Sequence, residues 1–321
     1  MTARQPEETT SSDEAGVSRT GPILITGGTG FVGSNLRVAL RGRPIRLLVR
    51  DAARLAHLRR PDVEIVESDI TRPDTLAGAL AGCSAVIHLV GIIEEAGSSF
   101  DEVIRQGTVN MLAATSGAGI LRFVHMSALG AREDPTLPYM TAKWQAEAAV
   151  RESGLDWTIL RPSVIFGPGD GFINPLAGLV RAPITPVAGN GRARFMPIAV
   201  EEVAEIFARV VGDRTTFGQT YELGGGAEYT LAGMLDAISS ELDKRHPRIN
   251  VPVPLIMLAV RLSSPLPKAL RPPVTLDQLK MLKIDNVTGD NAAPRLLGRA
   301  PKALADGLGY LQPGATNRPP N

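Results

Sequence analysis

The stretch GPILITGGTGFVG, residues 21–33, constrains the fold of this chain more than any other part of it. An apolar run, Ile23-Leu24-Ile25, meets Thr26. Glycines follow at Gly27, Gly30 and Gly33, and apolar residues then recur through Leu36 and Leu40. The run reads as a buried first strand, the glycines as a tight turn, and the rest as the start of a helix. Gly27 allows a sharp exit from the strand, Gly30 puts no Cβ between the backbone and a pyrophosphate, and Gly33 lets the helix lie close. Free N–H groups at such a helix start face an anion, and the helix dipole favours negative charge there. The turn is therefore expected to hold the phosphates of a dinucleotide, with Thr29, Phe31 and Val32 beside the three glycines. The alternative is a turn that serves geometry only.

The rest of the first half keeps one rhythm. Strands are expected at residues 45–49, 63–67, 85–91, 120–127 and 156–166, and helices at 52–60, 74–81, 100–117 and 138–150. This alternation predicts an α/β fold, a doubly wound parallel sheet with right-handed crossovers. The fourth strand is apolar almost throughout, as a strand covered on both faces should be. His88 within it reads as a core histidine. Leu89, Val90 and Gly91 end that strand where the ribose and nicotinamide of a dinucleotide would pass.

The residue that ends the second strand faces the adenosine ribose in such folds. An acid there binds the 2′-hydroxyl and an arginine accepts a 2′-phosphate. Arg50 occupies that place and favours NADP(H) over NAD(H), while Asp51, directly after it, keeps NAD(H) open. Further on, Tyr139 and Lys143 lie four apart at the start of a helix and share one face. A phenol titrating near 10 is a poor acid or base at neutral pH, so an ammonium that favours the phenolate would make it useful. Ser127, at the carboxyl end of the fifth strand, can hydrogen-bond a substrate carbonyl or hydroxyl.

The spacing Gly-x-x-Gly-x-x-Gly at the turn, with Ser127 and Tyr139-x-x-x-Lys143 behind it, resembles the extended and atypical branches of the short-chain dehydrogenase/reductases. The tail is the specific part of the resemblance. The stretch 275–282 (TLDQLKML), then Asp285-Asn286-Val287, Leu297-Gly298 and Pro301, is similar to the group containing the nucleotide-binding accessory subunit of respiratory complex I. The resemblance, covering residues 21–311, implies adenine contacts for Asp69 and Ile70. It also implies that the segment Arg161 to Gly167, including Pro162 and Val164, covers the nicotinamide. It implies Ser127, Tyr139 and Lys143 as a catalytic set for an oxidoreductase acting on a carbonyl or hydroxyl. A cofactor-binding assembly or scaffold protein and a nucleotide-sugar epimerase or dehydratase stand as alternatives. Ile104 stands where many members carry an asparagine that supports a water relay to the lysine, a departure that weakens turnover.

The organisation expected is a disordered polar tail over residues 1–20, a dinucleotide-binding domain over 21–167, a C-terminal subdomain over 168–312 with a strand near 220–223 returning to the sheet, and a tail over 313–321. Arg192, Arg194 and Phe195 are candidates for the substrate wall. The chain has 34 basic and 33 acidic residues, a balance that gives no electrostatic case for a nucleic-acid partner. Cys83 is the single cysteine, so no intrachain disulfide can form and a reducing, cytoplasmic setting fits. The four histidines are never at metal-ligand spacing, and no metal is expected. No window reaches the roughly 18 apolar residues of a membrane span. Residues 252–271 join an apolar run to Arg261, Lys268 and Arg271. A core helix capping the second half is the plainer expectation, and contact with a membrane surface or a membrane-bound partner the alternative.

Overall fold

The computed structural model describes residues 21–95, 97–263, 276–281 and 284–320. The expectations for residues 1–20 and 264–271 lie outside them. The first half runs β1 (Ile23–Thr26), α1 (Phe31–Ala39), β2 (Ile45–Val49), β3 (Val63–Glu67), α2 (Leu76–Leu80), β4 (Ala85–His88), α3 (Gly107–Gly117), β5 (Arg122–Met126), α4 (Pro138–Glu152) and β6 (Asp156–Pro162). The second half runs β7 (Ile165–Phe166), α5 (Ile173–Val180), β8 (Thr185–Ala188), β9 (Arg194–Phe195), β10 (Ile198–Ala199), α6 (Val200–Val210), β11 (Gln219–Leu223), β12 (Tyr229–Thr230), α7 (Leu231–Glu241), β13 (Arg248–Val251), α8 (Val253–Leu262), α9 (Leu276–Met281) and α10 (Ala293–Leu297).

Seven strands form one sheet in the order β3-β2-β1-β4-β5-β6-β11, and every neighbouring pair is parallel. Alternate side chains feed two cores, because successive residues of a strand point to opposite faces. Ile25, Leu47 and Ile87 pack with Leu36 of α1 and Phe207 of α6, whereas Leu24, Val86 and Phe123 pack with Met111 of α3 and Val150 of α4. Covering both faces is why these strands read as continuous apolar runs. From β1 the chain winds outward to β2 and β3, then crosses back to β4 and proceeds the other way. This reversal opens a crevice at the carboxyl ends of β1 and β4. A third core joins α5, α7 and the segment Leu304–Leu311 in the C-terminal half.

The doubly wound sheet and the returning strand, β11 on β6, agree with the sequence reading. Several boundaries differ. β4 ends at His88, so residues 89–91 leave the sheet as a loop, and β6 stops at Pro162, which cannot extend the ladder. Residues 53–58 wind as a 3-10 turn, not a regular helix, and residues 101–106 as a π turn that leads into α3. The terminal tail is docked: Asn317 Oδ1 accepts from Gly169 N at 3.0 Å, and Pro320 O accepts from Arg37 Nη2 at 3.5 Å.

Over the described residues 253–262 the expectation of a core helix is not met. α8 is a helix, but none of its residues is buried. It packs against α9, a six-residue helix too short to cover so many apolar side chains.

His88 on β4 and His125 on β5 sit fully buried in the centre of the sheet, with rings stacked 5.6 Å apart. His88 is satisfied on both sides, Nδ1 by Thr26 Oγ1 at 2.7 Å and Nε2 by Thr108 Oγ1 at 3.2 Å. His125 makes no side-chain hydrogen bond. Burial, and then the Lys143 charge, lowers His88 to about 3 and takes His125 well below its ordinary value. The unfolded chain binds these protons near 6.5 and the folded chain does not. The stability these groups contribute is therefore complete above about pH 6.5 and is lost as pH falls toward the folded values, by up to about 1.4 kcal/mol per pH unit for each. Urea unfolding between about pH 6 and 4 should show this decline, and His125→Leu should roughly halve its slope with little loss at neutral pH. An unchanged slope in the variant would contradict the assignment.

Candidate active site

The crevice at the switch point is a cavity of about 1000 Å³. The residues read from the sequence as cofactor-binding or catalytic line it, and so does Phe195 of the three substrate-wall candidates. At its floor lie Gly27, Thr29, Gly30, Phe31, Val32 and Gly33. Gly27 has φ +71°, a conformation that L side chains rarely adopt. A Cβ on Gly33 would sit 2.2 Å from Gly27 O and 2.6 Å from Gly28 Cα, so α1 can approach the turn only with glycine here. The contact is with the turn itself, a sharper constraint than close packing on the sheet. Gly30 begins α1 without a side-chain cap, and no acid stands in the first turn. The N–H groups of Phe31, Val32 and Gly33 therefore open onto the cavity, an arrangement suited to an anion.

One wall comes from the ends of β2 and β3. Arg50 is exposed on this wall and makes no ion pair among the described residues. Asp51 is engaged elsewhere: its carboxylate accepts from Arg54 N at 3.2 Å and pairs with Arg54 Nε at 2.9 Å. Arg54, which the sequence reading missed, also lines the cavity. Its signal was the position three residues beyond Asp51, where a 3-10 turn brings it round. Asp69 folds back on Thr71, accepting from its N and its Oγ1 at 2.9 Å each, while Ile70 is buried. Asn110, to which no role was carried over, donates to Ile70 O at 2.8 Å and so holds this wall. Gly107 packs its bare Cα against Ile70, with room for no Cβ.

Leu89, Val90 and Gly91 from the β4 exit lie across from Pro162 and Val164 beyond β6, and Ser127, Tyr139 and Lys143 stand between them. Lys143 is 2% exposed, and its Nζ donates to Met126 O at 2.8 Å. A Cβ on Gly91 would come within 3.2 Å of the same Nζ. Burial lowers Lys143 to about 8, against the pull of Glu147, which favours the charged form. Tyr139 is half-buried, its ring edge-on to Phe100 with centroids 5.6 Å apart. Burial raises its phenol to about 12. The expectation that the lysine would favour the phenolate is therefore corrected. The ammonium is committed to the Met126 carbonyl, and desolvation of the phenol governs.

Ile104 is buried against Phe100, Ala142, Ala146 and the Tyr139 ring, so an apolar contact fills the place read for an asparagine. Beneath the site, Glu147 is fully buried and held by Arg161 at 2.6 and 2.8 Å and by Arg151 at 2.6 Å. Burial pushes its carboxyl up, but Arg161, Ser127 and Arg151 outweigh that and hold it below the usual range. Ser127 is buried beside Glu147, yet its Oγ makes no hydrogen bond of proper geometry. The hydroxyl lies below the cavity surface, so a ligand oxygen reaches it only once the side chain turns toward the cavity. The ion network was not legible in the sequence, because it joins residues 14 apart through the pairing of α4 with β6.

The far end of the cavity is apolar, lined by Ile93, Met140, Phe172, Phe195, Met281 and Ile284. Phe195 thus lies where expected. Arg194 is instead tied to Asp285 and Glu228, at 2.7 and 3.1 Å, and Arg192 does not reach the cavity. Asn286 fastens this end: its Oδ1 accepts from Ser163 Oγ at 2.6 Å and Val164 N at 3.0 Å, and its Nδ2 donates to Leu129 O at 3.2 Å. Among the described residues no cluster of His, Cys, Asp and Glu could hold a metal ion, and no helix is long and apolar enough to cross a membrane.

Comparison with known proteins agrees with this geometry. Residues 27–173 match a protein family described as NAD(P)H-binding. The chain is 29% identical over 285 residues to the mitochondrial NADH dehydrogenase (ubiquinone) 1 alpha subcomplex subunit 9 of Arabidopsis thaliana, covering 84% of this chain and 71% of that one. It is 30% identical over 273 residues to a 3-beta-hydroxysteroid dehydrogenase of Mycolicibacterium neoaurum, covering 72% of this chain and 73% of that one. In fold it matches the NADPH-dependent quinone oxidoreductase QOR2 of Escherichia coli, solved with NADPH, at a TM-score of 0.72 and 20% identity, over 90% of this chain and 99% of that one. The chain is a nicotinamide-nucleotide-binding protein of the atypical short-chain dehydrogenase/reductase family.

Proposed function

We propose that this protein is an NADPH-dependent reductase of a carbonyl compound. The observation that carries the reading is the meeting, in one cavity, of an uncapped helix start with Ser127, the buried Lys143 and Tyr139. The bare glycine turn fits a pyrophosphate. Arg50, with no ion pair among the described residues, fits a 2′-phosphate, while Asp51 is occupied by Arg54 and so is poorly disposed to receive a ribose hydroxyl. When bound, the nicotinamide supplies the hydride.

The residues of the chain do the rest. Ser127 Oγ donates to the carbonyl oxygen and orients it. Tyr139, held protonated by burial, passes its proton to that oxygen as charge develops there. The Lys143 ammonium, anchored on Met126 O, has N–H groups left for a ribose hydroxyl.

The apolar far end speaks against a nucleotide-sugar substrate. Arg132, the arginine that lines this end among the described residues, is paired with Asp134. A second reading, a scaffold that keeps its cofactor as a structural part, draws on Ile104 and on the lack of support from Lys143 for a phenolate. The complex I subunit among the relatives belongs to the same line of thought, and α8 is the surface by which such a protein would meet a membrane or membrane-bound partner.

Tyr139→Phe should lower turnover about 100-fold or more while leaving the NADPH dissociation constant within about twofold. A variant that preserves every function of the protein would favour the scaffold. Arg50→Ala should weaken NADPH about 10-fold or more and leave NADH nearly unchanged, in fluorescence titrations of the two cofactors. Equal loss for both would refute the role of Arg50.

A further inference from the structure

The exposed large apolar side chains are not scattered. Among the described residues they are Val38, Ile93, Leu121, Ile184, Ile249, Leu255, Leu258 and Leu262. Five of the eight gather on one edge. Ile184 precedes β8, Ile249 lies on β13, which pairs with β8, and the three leucines are on α8, which follows β13. Leu255, Leu258 and Leu262 fall at i, i+3 and i+7 and so share one helix face, 57%, 52% and 70% exposed. An apolar patch this concentrated marks an interaction surface.

Cations predominate along this part of the chain, with Arg248 beside Ile249 paired to Asp236. No Asp or Glu occurs from Lys244 through Leu276, and Lys244, Arg245 and Arg261 are exposed without an ion pair among the described residues. A helix with an apolar face and flanking cations matches an anionic bilayer surface, where the face enters the acyl boundary and the cations meet the headgroups. The same edge also reaches the cavity. α8 packs on α9, and Met281 of α9 forms part of the apolar far wall. Ile93, 58% exposed, is another residue of that wall. The charged groups nearest it, Arg132 and Asp285, already have partners in Asp134 and Arg194. Glu94, exposed beside Ile93, also lines the cavity, but the side chains of this wall are otherwise mostly apolar and favour an apolar ligand.

We propose that the substrate is an apolar, membrane-dissolved carbonyl compound, taken up from an anionic bilayer on which the exposed face of α8 rests. The proposal rests on the reductase reading above. The hydride joins the carbonyl carbon, the π electrons move to oxygen, and the Tyr139 proton completes the alcohol, with the reduced nicotinamide dinucleotide as the electron donor.

Three measurements on the full chain separate the parts. NADPH titration by fluorescence tests the cofactor reading alone, and absence of binding defeats that reading irrespective of α8. With the protein loaded with NADP+, affinity for methyl ketones of rising chain length should grow about fourfold per added methylene until the cavity is filled. A series flat in length overturns the apolar substrate while leaving the cofactor reading standing. In co-sedimentation, wild type should bind phosphatidylcholine vesicles containing phosphatidylglycerol at least tenfold better than phosphatidylcholine alone. The double variant Leu255→Glu, Leu258→Glu should lose that binding and keep its NADPH affinity. Equal sedimentation of variant and wild type overturns the bilayer contact. So does a wild type that ignores vesicles but forms a dimer, or holds a protein partner, that the variant breaks.

Discussion

Everything at the site depends on how closely α1 approaches the end of β1. The space between Gly33 and Gly27 O admits no Cβ, and that contact fixes the direction in which the first N–H groups of the helix point. A side chain at Gly33 would push α1 outward and turn a phosphate cradle into an ordinary loop. The sheet converts this local contact into a site. Because β4 lies beside β1 and the winding reverses there, the glycine turn faces the β4 exit and, one strand further, Ser127. The distant parts of one long cofactor can therefore be met by residues separated by more than a hundred positions in the chain.

Burial sets the chemistry of the catalytic end. The same desolvation that keeps Tyr139 protonated lowers Lys143, and the two effects divide the labour. The tyrosine can give a proton, and the lysine, held on Met126 O, can shed or retain charge near neutral pH. Glu147, clamped by Arg161 and Arg151, keeps a negative charge one helical turn from Lys143 and so limits the fall of the lysine. In a low-dielectric interior, charges arranged in this way act more strongly than they would in water.

Much of this was legible in the sequence because it is local or periodic. The glycine spacing, the apolar strands and the pair Tyr139 and Lys143 all express rules that act within a few residues. What escaped was long-range. No periodicity tells that Asn286 ties the substrate end to Leu129 and Val164, or that Asn110 supports Ile70. The support expected from Lys143 for a tyrosinate failed because helical spacing says the two share a face, not where a flexible ammonium ends. The apolar composition of α8 was readable, but its exposure was not. Whether an apolar helix is core or surface depends on what lies against it, and the element α8 packs on most is a six-residue helix.

The most direct test is a crystal structure with NADPH bound. It should show the pyrophosphate on the N–H groups of Phe31, Val32 and Gly33, the 2′-phosphate beside Arg50, and the nicotinamide ring turned toward Tyr139 with its ribose at Lys143. A dinucleotide bound elsewhere, or one whose nicotinamide turns away from Tyr139, would contradict the account.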